Sequence, residues 1–327
     1  MIIAVVTTAA FMIIGGLLVG ARPVTPQGLV SALFWPDGKI DSIIVWMLRL
    51  PRSLAAFLGG AGLSISGYLL QTLTRNPLAG PGLTGVTTGA VAAIVFCFTF
   101  VPWLSSLYYP LVGMTGGLGA ALVTFWIARG STGRPLHLAL GGISVSLFLG
   151  AVTIYVLLLS GTQVQSMLFW LSGGFQGRTW IQLAYMAPWV AVGFIGALLA
   201  HRVLDLLTLS EDAAAGMGLQ LKLWKPLLLL LAVLPVAGVV PVAGPVAFVG
   251  LATPHIARLL KPGGQGWTVA LAAALGGLMV TVADLLARSI AAPRELPVGI
   301  ITALIGGPVF IYLVQARNVT FRSGGKG

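Results

Sequence analysis

Arg49-Leu50-Pro51-Arg52 stands at one end of a glycine- and serine-rich apolar run, and Arg75-Asn76-Pro77-Leu78-Ala79-Gly80-Pro81 stands at the other. The run between them, 53–73, has the roughly 20 residues that an α-helix needs to cross a hydrocarbon core. It carries Gly60, Ser64 and Gly67, small residues that let a second helix approach closely. The two charged clusters then belong on opposite sides of a bilayer. Such a segment is expected to meet different partners on its two faces.

Composition points the same way. The chain has 327 residues, 57% hydrophobic and 8% charged, with a mean hydropathy of +1.01. A soluble domain carries about 25% charged residues. The chain therefore reads as an all-α polytopic membrane protein. Its 44 glycines sit inside apolar runs and fit close helix packing. The net charge of +11 does not indicate nucleic acid. The basic residues are scattered at helix ends, without a run or aromatic interleaving. Cys97 is alone, so no disulfide framework or cysteine zinc site exists. His137, His201 and His255 are far apart in sequence and make no metal motif. The first 20 residues lack the basic start of a signal peptide and read as a transmembrane helix. Cleavage near Ala21 is the alternative. Little chain precedes this helix, as expected if the start has been trimmed.

Ten spans can be placed, at 2–20, 53–73, 83–102, 109–128, 137–160, 179–201, 224–243, 246–260, 267–289 and 297–316. The eighth is short and is expected to be partial or tilted. The whole chain is one transmembrane domain, 1–327, with no soluble domain or long linker. With both termini inside, Arg22, Lys39, Arg49, Arg52, Arg178, Arg288 and Arg294 lie outside, and the other Lys and Arg residues, the majority of the 18, lie inside. That bias favours cytoplasmic termini, although the flanks of the first helix point the other way. The many outer basic residues suggest an acidic partner there. The longest inner connection includes a loop at 205–222. Within it, Ser210 can cap a helix, Glu211 and Asp212 suit its first turn, and Ala213, Ala214 and Ala215 favour helix. Gly216 or Gly218, around Met217, can stop it. An ordinary interfacial turn is the alternative.

Several chemistries are missing. There is no G-x-x-x-x-G-K-[ST] loop, no H-E-x-x-H and no G-x-S-x-G. Away from helix ends, Asp284 is the only acid inside an apolar span. It is either a proton relay or the acid of a structural ion pair with Arg288, four residues on. The pair is favoured, because a proton-coupled pump usually needs more than one such group. Gly142, Ser146 and Gly150 form either a packing seam or the smooth wall of a wide conduit. Residues 243–258 mix helix breakers with apolar residues, as broken membrane helices do. His255 within them reads as a packed residue. Met114, Met167, Met186 and Met279 have no regular spacing and read as packing residues.

Six stretches in order resemble the permease subunits of type II ABC importers for iron–siderophores, haem and cobalamin, the FecCD-like family. They are 49–52, 67–81, Trp170-Leu171-Ser172-Gly173-Gly174-Phe175, 209–218, 244–258 and 283–308, the last containing Arg294-Glu295-Leu296-Pro297-Val298-Gly299. Each is weak alone, and together they span nearly the whole chain.

The resemblance implies about ten helices per subunit in the bacterial inner membrane. It also implies a second permease subunit, expected to be an identical copy. Two cytoplasmic ATPase subunits, which use ATP and Mg, and a periplasmic binding protein complete the assembly. The chain itself would bind no cofactor or metal and would have no catalytic residue. Arg49, Arg52, Arg288 and Arg294 match arginines that receive acidic residues of the binding protein, against a plain reading as snorkelling interfacial arginines. Residues 210–218 match the helix that couples to the ATPase. Asn76 and Leu78 match the cytoplasmic gate, with Ser131 and Thr132 as a looser counterpart. The cargo implied is a bulky iron chelate, a ferric siderophore first, with haem or cobalamin behind it. An ion-gradient-driven secondary transporter is the alternative.

Overall fold

The computed structural model describes residues 1–20, 22–129, 135–161, 164–260, 263–292 and 294–323. The described residues are helices and connections, without a strand. In chain order come α1 (Ile2–Leu18), α2 (Pro26–Phe34) and α3 (Ile40–Ile43), which runs through a π-helical stretch (Ile44–Arg49) into α4 (Leu50–Thr74). A 3-10 turn (Pro81–Thr84) leads to α5 (Val86–Phe100), α6 (Tyr109–Arg129), α7 (Pro135–Leu159) and the short α8 (Val164–Leu171). Then follow α9 (Trp180–Leu199), α10 (His201–Leu206), α11 (Glu211–Gly216), α12 (Leu221–Ala243), α13 (Val249–Leu259), α14 (Gln265–Ser289) and α15 (Val298–Ser323).

Every expected span overlaps one of these helices. Among the described residues six segments are long and apolar enough to cross a membrane: Ile40–Thr74, Ser106–Ala128, His137–Leu159, Trp180–Leu199, Leu221–Ala243 and Gln265–Ser289. Ile2–Leu18 and Val86–Phe100 are shorter apolar helices, and Val298–Val309 is an apolar part of the 26-residue α15. The expected eighth span is α13, with 11 residues. At 1.5 Å per residue it covers only about half of a hydrocarbon core. Sequence reading did not place α2, α3 or α8. For α2 a signal was present: Thr25 precedes Pro26, and the Thr25 hydroxyl accepts the Gly28 N–H at 3.1 Å.

The core forms around α4. Its most apolar window is 83% buried, against 28% for that of α9. Helices α9, α12, α13 and α14 pack on it. Glycine permits this. A Cβ at Gly60 would run into the Gly276 carbonyl of α14, and one at Gly67 into the Gly250 carbonyl of α13. Buried polar atoms bridge the same helices. Ser64 donates to the Ala272 carbonyl at 2.6 Å and accepts from Thr253 at 2.7 Å.

The chain breaks between α12 and α13, as its glycines and prolines suggested. Gly244 and Phe248 both adopt positive φ, 69° and 65°. Backbone groups freed near this break find partners in neighbouring loops, as an apolar surround requires. Gly174 N–H donates to the Ala243 carbonyl at 2.7 Å, and Gly299 N–H to the Gly173 carbonyl at 3.1 Å.

Candidate functional site

The 25 residues of α4 make a rod of about 37 Å, with a different cluster at each end. At its start, three arginines are buried. Arg49, Arg52 and Arg288 are 7%, 8% and 5% exposed. Arg52 and Arg288 share Asp284, which is 1% exposed. Arg52 Nε donates to Asp284 at 3.0 Å. Its Nη1 donates to both oxygens of Glu295, at 2.8 and 2.9 Å. Arg288 Nη2 bonds the other Asp284 oxygen, so the expected i,i+4 contact is present.

Arg49 and Arg288 also have a task that the sequence did not disclose. Helix α1 has no basic residue in its own last turn. Its final carbonyls are met from outside, because Arg288 donates to Gly16 O at 2.9 Å and Arg49 to Leu17 O at 2.6 Å. Two cations from α14 and the start of α4 thus cap the negative end of α1. Arg49 also bonds the Arg22 carbonyl. Three of the four arginines expected to face a partner are therefore buried with internal acceptors. Arg294 is exposed.

The other basic residues of this end differ in how they are held. Arg22 lies 3.5 Å from Asp41, and Lys39 lies 2.6 Å from Asp37. Hydrogen bonds from Lys39 and Ser42 pull the Asp37 carboxyl down to about 2. Arg178, between α8 and α9, has no ion pair among the described residues, its Nε is buried without a hydrogen-bond partner, and burial lowers its pKa.

At the far end of α4, Arg75 turns into the left-handed region, φ 51°. Its side chain reaches the Leu207 carbonyl at 3.4 Å and bonds the Leu209 carbonyl, just before α11. Helix α11 forms as its sequence suggested. Ser210 Oγ accepts the Ala213 N–H at 3.2 Å, Glu211 and Asp212 occupy the first turn, and Gly218 follows at φ 88°. Lys225 of α12 holds Glu211 at 2.7 Å. Ala214 is buried, while Asp212, Ala213, Ala215, Gly216 and Met217 are exposed. The helix is anchored on one side and free on the other.

In the loop after α4, the Asn76 side chain accepts the Leu78 N–H at 2.9 Å, and Leu78 is left 51% exposed. Ser131 and Thr132 lie outside the described residues. The small-residue stripe of α7 divides. Gly142 is buried, and Ser146 donates to the Gly82 carbonyl at 3.1 Å, contacts of the kind a packing seam makes. Gly150 has open space beside it. His255 is buried. Among the described residues no three His, Cys, Asp or Glu side chains gather as metal ligands.

Residues 7–316 match the FecCD transport family. The chain belongs to that family. It is 36% identical over 306 residues to the achromobactin transport system permease protein CbrC of Dickeya dadantii, an alignment covering 93% of this chain and 87% of that protein. It is 34% identical to the Fe(3+) dicitrate transport system permease protein FecD of Escherichia coli, covering 90% of this chain and 92% of the relative. Its fold matches a metal-chelate type ABC transporter solved in an inward-facing conformation, with a TM-score of 0.86, 28% identity and coverage of 96% and 98% of the two chains. The protein is thus a multi-pass membrane permease subunit of the ABC importer type. The ion-driven alternative has no support, and Asp284, its one candidate relay, is enclosed by two guanidinium groups.

Proposed function

We propose that this chain moves a bulky ferric chelate across the bacterial inner membrane by alternating access, powered by partner ATPases. The observation that carries this reading is the family match over residues 7–316, joined to the layout of α4, with buried arginines at one end and the anchored α11 at the other. Relatives named for achromobactin, Fe(3+)-citrate and iron(3+)-hydroxamate favour a ferric siderophore or ferric citrate over haem or cobalamin.

In this reading the Arg52 end faces the periplasm, where Arg49, Arg52, Arg288 and Arg294 receive carboxylates of a substrate-binding protein. The exposed side of α11, with Ser210 and Glu211 fixing its start, seats in an ATPase subunit that supplies ATP and Mg chemistry. Leu78 with Asn76 forms the cytoplasmic gate, and Gly150 lines the path. Ten helices, with both termini cytoplasmic, complete each subunit. A second copy of the chain is the simplest partner permease. A related second chain is the specific alternative, since FecC and FecD of Escherichia coli are two permease proteins named for one system.

The test is uptake into proteoliposomes holding the complete importer, with iron-55 ferric citrate and a ferric hydroxamate as cargoes. Uptake should require internal ATP and persist when a protonophore collapses the proton gradient. Uptake that follows the proton gradient without ATP refutes the proposal.

A further inference from the structure

The buried cluster at the start of α4 is one carboxylate short. Three guanidinium groups, Arg49, Arg52 and Arg288, meet two acids, Asp284 and Glu295. Arg49 has only backbone carbonyls as hydrogen-bond acceptors. Two guanidinium nitrogens are buried without a hydrogen-bond acceptor, Arg288 Nε and Arg52 Nη2. Arg52 Nη2 does lie 2.9 Å from Asp284, but off the line of a hydrogen bond. Burying cations with unmet donors is costly, so Arg52 cannot give up one carboxylate unless another takes its place.

The two acids that hold Arg52 are not equivalent. Asp284 lies within α14 at 1% side-chain exposure, whereas Glu295 is 36% exposed on the irregular connection between α14 and α15. Its neighbour Leu296 is tied on both sides, by its N–H to the Ala287 carbonyl at 3.1 Å and by its carbonyl to Gln176 at 3.0 Å. The backbone there can stay in place while the Glu295 side chain turns out to solvent. Arg294 stands exposed beside it.

We propose that Glu295 is a placeholder. It occupies the outer nitrogen of the Arg52 fork until an acidic side chain of a docking protein takes that position, and Asp284 remains behind as the permanent partner. The inference rests on the reading of this end as the docking face. It accounts for a buried Arg52 in a docking role, since the partner replaces an existing carboxylate and Arg52 keeps two acids throughout. A mere brace for the turn would instead make Glu295 indifferent to docking.

The experiment uses the complete importer in nanodiscs and the binding protein that co-purifies with it from native membranes. In Glu295→Gln the complex should live about tenfold longer, the scale of one charge-assisted hydrogen bond no longer lost on exchange. The association rate should change by less than about twofold, because buried pairs act on release. Glu295→Asp, which keeps the carboxylate, should restore most of the wild-type lifetime. In an Arg52→Lys background, which keeps the charge and loses the fork, the gain from Glu295→Gln should vanish. An unchanged or shortened lifetime in Glu295→Gln overturns the exchange, as does a gain that survives Arg52→Lys, which marks a general field effect. Wild-type importer that binds no such protein removes the docking reading itself, and the exchange with it.

Discussion

Asp284 holds two guanidinium groups from two helices, and one of them lies 232 residues away in sequence. Losing its charge would leave Arg52 with only the half-exposed Glu295 and Arg288 with no acid at all. Breaking a buried pair in this way costs about 3–5 kcal/mol, because the surviving charges stay desolvated. Asp284→Asn should therefore lower the thermal midpoint of the detergent-solubilised protein sharply, and Glu295→Gln much less. Equal midpoints for wild type and Asp284→Asn would contradict the buried network. The i,i+4 spacing to Arg288 was legible in the chain. The third member, Arg52, was not, because no local rule joins residues of two different helices.

Helix α11 has only six residues, too few to be stable alone. Its persistence comes from the Ser210 cap, the buried Ala214 and the Lys225–Glu211 pair. Through Arg75 the segment before it touches the end of α4. Motion imposed on α11 therefore reaches the central helix directly. Removing residues 213–215 should leave binding-protein docking intact and separate ATP hydrolysis from uptake. The readouts are phosphate release and transported iron in the same vesicles. Normal uptake by this variant would show that α11 does not couple. The cap, the acids of the first turn and the stop were visible in sequence, since all act within one turn of chain. Which side of α11 stays free was decided by the burial of Ala214 and the reach of Lys225 from α12 to Glu211.

Across the whole molecule, apolar surface remains uncovered. Leu140, Ile143, Leu147, Phe148, Ile154 and Leu158 of α7 are all exposed. In a bilayer such a face meets lipid or another permease subunit. Native mass spectrometry of gently extracted complexes should find two permease chains with two ATPase chains. Two different permease masses would replace the identical pair by a related one, and a lone chain in every preparation would remove the assembly.

The amino-acid sequence alone determined that this chain lives in a membrane, where its long apolar helices fall, where the chain breaks after α12 and how α11 starts. These are properties of runs and short spacings, set by hydropathy and by backbone chemistry within a few residues. Only the tertiary structure decided that Arg49 and Arg288 cap α1 from outside and that Glu295 completes Arg52. Those outcomes depend on which helices meet face to face. In an apolar surround a buried donor without an acceptor is costly, and the acceptor can come from any part of the chain that packing brings near.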